Sequence, residues 1–142
     1  MPRNPALAMP PFYFETEFKL STMVDDWPAE FVIVTAYATT GKHWAPKKNA
    51  AADESLEQHL RRKGGWLARV TGFNPTTGHA EPGWAFEMPL EEACDLGHQY
   101  LQDALYHVCG DQLSVTYCDQ KRALVPVGKF RERLHFAEPV QA

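Results

Sequence analysis

Glu81 stands in the stretch Thr-Gly-His-Ala-Glu-Pro-Gly-Trp-Ala-Phe, residues 77–86, where a Gly- and Pro-punctuated loop meets an aromatic segment. Pro82 fixes its own φ and pushes the residue before it toward extended backbone, so the Glu81 carboxylate is aimed better than most loop side chains. A carboxylate held this way can act as a general base, a metal ligand or an acceptor for a bound molecule. It can equally accept backbone N–H groups from its own loop or from a helix N-terminus. His79 lies two residues earlier, and in extended backbone both side chains point the same way. A His/Glu pair is an acid–base couple or two ligands of one metal, while a solvated loop histidine is the commoner outcome. His43, in another polar loop, would join them if the loops converge.

Three further polar residues mark the ends of expected elements. Tyr37 closes the β-branched and aromatic run Phe31-Val32-Ile33-Val34-Thr35-Ala36-Tyr37. Asn49 stands where a helix should open and reads first as its N-cap, with a ligand contact as the second reading. Gln102 falls where a helix gives way to a strand; a buried amide must find partners, so it either ties down that turn or contacts a ligand. Tyr37, Asn49, His79, Glu81 and Gln102 are therefore the candidate site. Cys94 and His98, spaced i, i+4, could share a metal, but two ligands without a third are a weak signal and packing explains Cys94 better. The chain has no P-loop, Rossmann glycine pattern, Gly-x-Ser-x-Gly elbow or His-Glu-x-x-His. The residues specify neither a metal nor a cofactor.

An α+β framework must position these groups. Phe12, Phe14, Phe18 and Leu20 alternate with Tyr13, Glu15, Glu17 and Lys19, which predicts a half-buried strand able to form a sheet edge. The run from Phe31 to Tyr37 suits a central strand covered on both faces, and Thr39 to Pro46 a polar loop. A helix is expected from Asn49, with Asp53 and Glu54 near its positive end, Arg61, Arg62 and Lys63 in its last turn and Gly64 as its stop. Trp66 to Phe73 reads as a second core strand, Asn74 to Pro82 as a loop and Gly83 to Glu87 as a third strand. Pro89 opens another helix, whose buried side holds Leu90, Ala93, Cys94, Gly97 and Leu101. In a final hairpin Ala104, Tyr106 and Val108 face Leu113, Val115 and Tyr117 across a turn at Gly110-Asp111. That register sets Cys109 opposite Gln112 and Cys118 opposite Asp103, too far apart for a disulfide. From Lys121 onward one more strand or helix docks back.

This order predicts a single-domain two-layer sandwich, with a mostly antiparallel sheet of about five to six strands and two main helices on one face, split β-α-β-like. The domain should span 12–136, with flexible tails at 1–11 and 137–142. A chain of 142 residues can bury a real core, and 44% hydrophobic with 23% charged residues is an ordinary globular balance. A net charge of −4 gives no general attraction to nucleic acid or anionic membrane. No apolar run approaches the roughly 18 residues that cross a bilayer, and Met1 to Pro11 lacks the apolar core of a signal peptide. Three cysteines, Cys94, Cys109 and Cys118, fit a reducing compartment, so the expectation is a cytoplasmic protein.

The segments "FVIVTAY", Asn49 at a helix start, "VTGF…GHAEPGWAF" and "YLQDALYHVCGDQLSV" together resemble the bacterial domain-of-unknown-function family numbered 3293, from about Phe12 to Cys118. The resemblance implies a small soluble protein and brings no activity with it. Four departures stand out: Ala38 for an asparagine after the aromatic residue, Lys48 for the glutamate before Asn49, Gly83-Trp84 for Ser-Phe, and Leu101 for the glycine before Gln102.

Two readings follow. In the first, preferred because the departures at Ala38 and Lys48 remove polar groups, the protein is a non-catalytic binding or regulatory module. It takes a small polar ligand or a protein partner through loops near Tyr37 and Glu81, as a monomer or homodimer, with neither membrane nor nucleic acid as partner. In the second it is a small hydrolase or transferase acting on a nucleotide-like or polar metabolite, with Glu81 as base or ligand, His79 beside it, and Asn49 and Gln102 as orienting groups.

Overall fold

Residues 9–38, 43–119 and 122–136, described by a computed structural model, form three helices and one curled, mixed sheet of eight strands. The elements run α1 (Phe12–Glu15), β1 (Glu17–Leu20), β2 (Glu30–Thr35), α2 (Pro46–Lys63), β3 (Leu67–Phe73), β4 (Ala80–Phe86), α3 (Leu90–Gln99), β5 (Ala104–Cys109), β6 (Gln112–Tyr117), β7 (Val125–Lys129) and β8 (Leu134–Phe136). A 3-10 turn over Arg131–Arg133 joins the last two strands. The expected tails up to Ala8 and from 137 onward, and positions 39–42 of the expected polar loop, lie outside the described residues.

The α+β class and two main helices on one face hold, but the sheet is larger than five to six strands and is not all antiparallel. Its order is β7-β6-β5-β2-β4-β3-β1-β8, and β1 pairs parallel with β8. Two strands were hidden because Pro126 and Gly128 break the pattern of β7, while β8 has only three residues. Nor is β1 an edge, since it lies between β3 and β8. The alternation at Phe12 and Phe14 is no strand either. Tyr13 and Phe14 donate their N–H groups back to the Pro10 and Pro11 carbonyls, and the Thr16 hydroxyl donates to Phe12 O, closing one helical turn.

Helix α2 opens at Pro46, not Asn49. Proline suits a first helical turn, where its absent N–H is not missed. Gly64, with φ of 82°, ends the helix, and its N–H donates to Leu60 O. Leu56 and Leu60 from α2 and Ala93, Cys94 and Leu96 from α3 bury against Val32, Val34, Trp84 and Phe86 on one sheet face. Asp53 fastens this layer. Its carboxylate takes both Arg69 guanidinium nitrogens (2.7 and 2.8 Å) and the Trp84 indole N–H (3.2 Å). Leu101 does not join the buried side of α3; it is 62% exposed and lies just past the helix end.

The other face carries a second core, enclosed by the curl of the sheet itself. At one end Trp27, Phe31, Trp66 and Phe130 pack ring on ring, with centroids 5.1 to 5.6 Å apart. Phe18 continues that cluster toward Tyr106, at 5.3 Å edge to face. Beyond it the interior is hollow. Arg133 draws the two ends of the sheet together, donating to the carbonyls of Phe14 (2.7 Å), Thr16 (3.0 Å) and Val127 (3.4 Å).

Candidate functional site

Glu81 sits on a strand, not in a loop, because the turn before it closes early. Asn74 Oδ1 accepts the N–H groups of Thr76 and Thr77, Gly78 N–H donates to Asn74 O, and Asn74 N–H donates to His79 O. Residues from Ala80 are then free to pair: Glu81 opposite Gly72 and Pro82 opposite Thr71. At Pro82 strand β4 has passed its last β2 pair, Thr35 with Gly83, which is the kind of position a strand proline tolerates. Gly83 is required by close approach. A Cβ there would lie 2.9 Å from both Thr35 Cγ2 and Val34 O, so the serine of the family pattern has no room at this position.

The register places Phe18, Ile33, Thr35, Gly72, Tyr106 and Glu81 on the sheet face opposite α2 and α3. With α1 lying across them, they bound the hollow end of the second core, a cavity of about 430 Å³. His79 and His43 also line it, so both histidine-bearing segments border this cavity. His79 Nε2 lies 3.6 Å from Glu81 Oε1, with the imidazole largely in solvent and the carboxylate only 25% exposed. Burial pushes the Glu81 carboxyl above the usual carboxylate range, and the charge and N–H of His79 only partly oppose it. Tyr106 donates its hydroxyl to Tyr13 O at 2.7 Å, and burial pushes that hydroxyl up to about 12, so it stays a neutral donor.

The other candidates gather at the C-terminal end of β2 but do not enter this cavity. Gln102 is buried and fully engaged. Its Oε1 accepts from the Thr35 hydroxyl (2.9 Å), and its Nε2 donates to the carbonyls of Tyr37 (2.7 Å) and Tyr100 (3.2 Å). It thereby ties the end of α3 to the end of β2, leaving Thr35 as the link between the amide and the cavity wall. Asn49 is an interior residue of α2 whose Oδ1 accepts the Ala38 N–H (2.9 Å), holding the chain after β2. Tyr37 contributes its carbonyl to Gln102. Lys48, in place of a glutamate, sets its ammonium 4.2 Å from the centre of the Trp44 ring.

Gln102 instead lines a second hollow of about 420 Å³, with His98, Asp103, Pro10, Phe12 and Tyr13. Phe12 and Tyr13 border both spaces, so α1 is a wall between them. Cys94 and His98 do not converge: Cys94 is buried with its sulfur toward Tyr117 O, while His98 is exposed. Among the described residues no three His, Cys, Asp or Glu side chains gather as a metal site. Thr16, Thr35, Tyr13 and Tyr106 are cavity residues that sequence reasoning passed over. The one available signal was the alternation of the hairpin, which put Tyr106 on a shared face without saying what that face meets.

Comparison with known proteins adds the family and nothing more. The family model described as "Protein of unknown function (DUF3293)" matches residues 34–105, inside the span expected from the sequence. No curated protein and no solved structure matches the chain. The matched residues run from β2 through α2, β3, β4 and α3 into β5, and so include Glu81, His79, Asn49 and Gln102. The chain belongs to this family.

Proposed function

We propose that this member of the DUF3293 family is a binding or regulatory module that takes a small ligand into the cavity beneath α1, with Glu81 as its polar anchor. One observation carries the reading: a half-buried carboxylate projects into a mostly apolar, ligand-sized hollow, an arrangement typical of small-molecule sites. The pair Glu81 and His79 also gives some support to proton-transfer chemistry, the second reading. That reading is the weaker one, because the polar groups of Gln102 and the Oδ1 of Asn49 are already taken up by the protein's own backbone and by Thr35.

Thermal unfolding of wild type and Glu81→Gln with a panel of small metabolites tests the proposal. A ligand at a hundred times its Kd adds about 2.7 kcal/mol, which for a chain of this size raises Tm by roughly 5–10 °C. The expected outcome is a shift in wild type that Glu81→Gln reduces. A shift of equal size in both proteins would remove Glu81 from the site, and turnover abolished by the substitution would favour the enzyme.

A further inference from the structure

The cavity's charge and ring inventory names the class of its occupant, an inference that rests on the cavity being a ligand site. Among the described residues that line it, Glu81 is the single carboxylate, and there is no lysine or arginine. Arg133, whose field reaches Tyr106, directs its N–H groups onto the carbonyls of Phe14, Thr16 and Val127. Asn74 at the rim donates to a further carboxylate, Glu15, at 3.2 Å. Among the described lining residues a phosphate or carboxylate ligand would therefore meet the like charge of Glu81 and find no lysine or arginine to receive it, only His43 and a His79 that already lies against Glu81. The walls are aromatic: Phe12, Tyr13, Phe18 and Tyr106. Aromatic faces around one carboxylate attract a positive charge carried on an apolar body, because the ring quadrupoles and the carboxylate act with the same sign.

We propose that the ligand is a small organic ammonium, seated among the rings of Phe12, Tyr13, Phe18 and Tyr106 with its charge toward Glu81. The hydroxyl of Tyr106 is committed to Tyr13 O, so that ring presents its face and edge to the ligand. Thr16 and Thr35 spend their hydroxyl protons on Phe12 O and Gln102 and offer only neutral lone pairs, so Glu81 and the π faces are the charge-bearing partners for the ammonium. Binding stabilises the ionised carboxylate and so expels a proton wherever Glu81 still carries one.

Calorimetric titration of the full chain with three probes of similar shape tests this: benzyltrimethylammonium, benzyl alcohol and benzoate. Wild type should prefer the ammonium, and Glu81→Gln should weaken that probe roughly tenfold or more while leaving benzyl alcohol within about threefold. Amide shifts at Ala104 and Gly72 on titration would locate the probe in the cavity. In wild type the ammonium affinity should fall on acidification, as Glu81 takes up its proton. Whatever pH dependence survives in Glu81→Gln belongs to His79 and His43, which face the same space. This wild-type arm does not depend on the variant folding. If benzyl alcohol or benzoate binds the cavity as well as the ammonium does, the cationic class is wrong and the ligand site stands. If no probe shifts a cavity amide at millimolar concentration, both fall.

Discussion

At the scale of single residues, Glu81 and Leu101 each hold an unfavourable state that a substitution can relieve. Burial raises the folded pKa of Glu81 above its unfolded value. A carboxyl shifted that way contributes stability where it is protonated in both states, and loses the contribution as pH rises through the window between its ordinary and its raised pKa. At neutral pH the ionised side chain is therefore a burden on the fold. Glu81→Gln should melt above wild type at pH 7, by roughly 3–5 °C if the relief is about 1 kcal/mol, with the gap closing toward acid. Equal melting at every pH would show that the carboxylate is not desolvated. Leu101 adopts φ of 61°, in the left-handed region that favours glycine, the residue the sequence resemblance puts at this position. Its side chain is exposed, so Leu101→Gly should gain about 0.5–1 kcal/mol, the left-handed penalty less the extra freedom of glycine in the unfolded chain. Chemical denaturation measures this directly, and a loss of stability would mean that the Leu101 side chain makes a needed contact.

At the scale of elements, α2 is fixed to the sheet by more than its apolar stripe. The stripe contributes little beyond Leu56 and Leu60, and Asp53 supplies the directional tie to Arg69 and Trp84. Asp53→Ala leaves a half-buried guanidinium and an indole N–H without that acceptor, and should cost about 2 kcal/mol in equilibrium unfolding. A change under about 0.5 kcal/mol would mark the node as a surface pair. How much of this was legible depends on the kind of signal. The β5–β6 hairpin was readable to the residue, with Cys109 opposite Gln112 and the Cys118 N–H on Asp103 O, because strict alternation on two strands around Gly110 admits one register. Pro82 misled, because it is a loop former by propensity. It lies in a strand here because one side of β4 is open at Pro82, while Gly83, expected to open that strand, passes close to Val34 O. Asn49 and Gln102 were recognisable as polar residues at element ends. That their partners would be Ala38, Thr35 and Tyr37 follows only from three-dimensional packing, as does the meeting of Tyr106 and Glu81 in one cavity.

At the scale of the whole molecule, Arg133 ties the sheet's two ends together. Arg133→Ala removes the hydrogen bonds to Phe14 O, Thr16 O and Val127 O, and should free α1 and β8 before the rest of the fold. Hydrogen exchange should quicken at β1 and β8 by roughly ten- to thirtyfold, equivalent to about 1.4–2 kcal/mol, while β2 and β5 change little. Uniform acceleration would mean that the sheet opens as one unit. The parallel pairing of Phe18 with Leu134 has a kinetic consequence as well. It joins two of the most distant parts of the described chain, so its loop-closure entropy is among the largest in the fold and its formation should come late. Until it forms, β1 has a bare edge and α1 lacks its Arg133 clasp, so the chain can hold its helix-covered core and yet have no finished binding chamber. Refolding followed by two probes should therefore separate: Trp84 fluorescence, reporting the helix face, recovers first, and ligand capture appears only in a later phase.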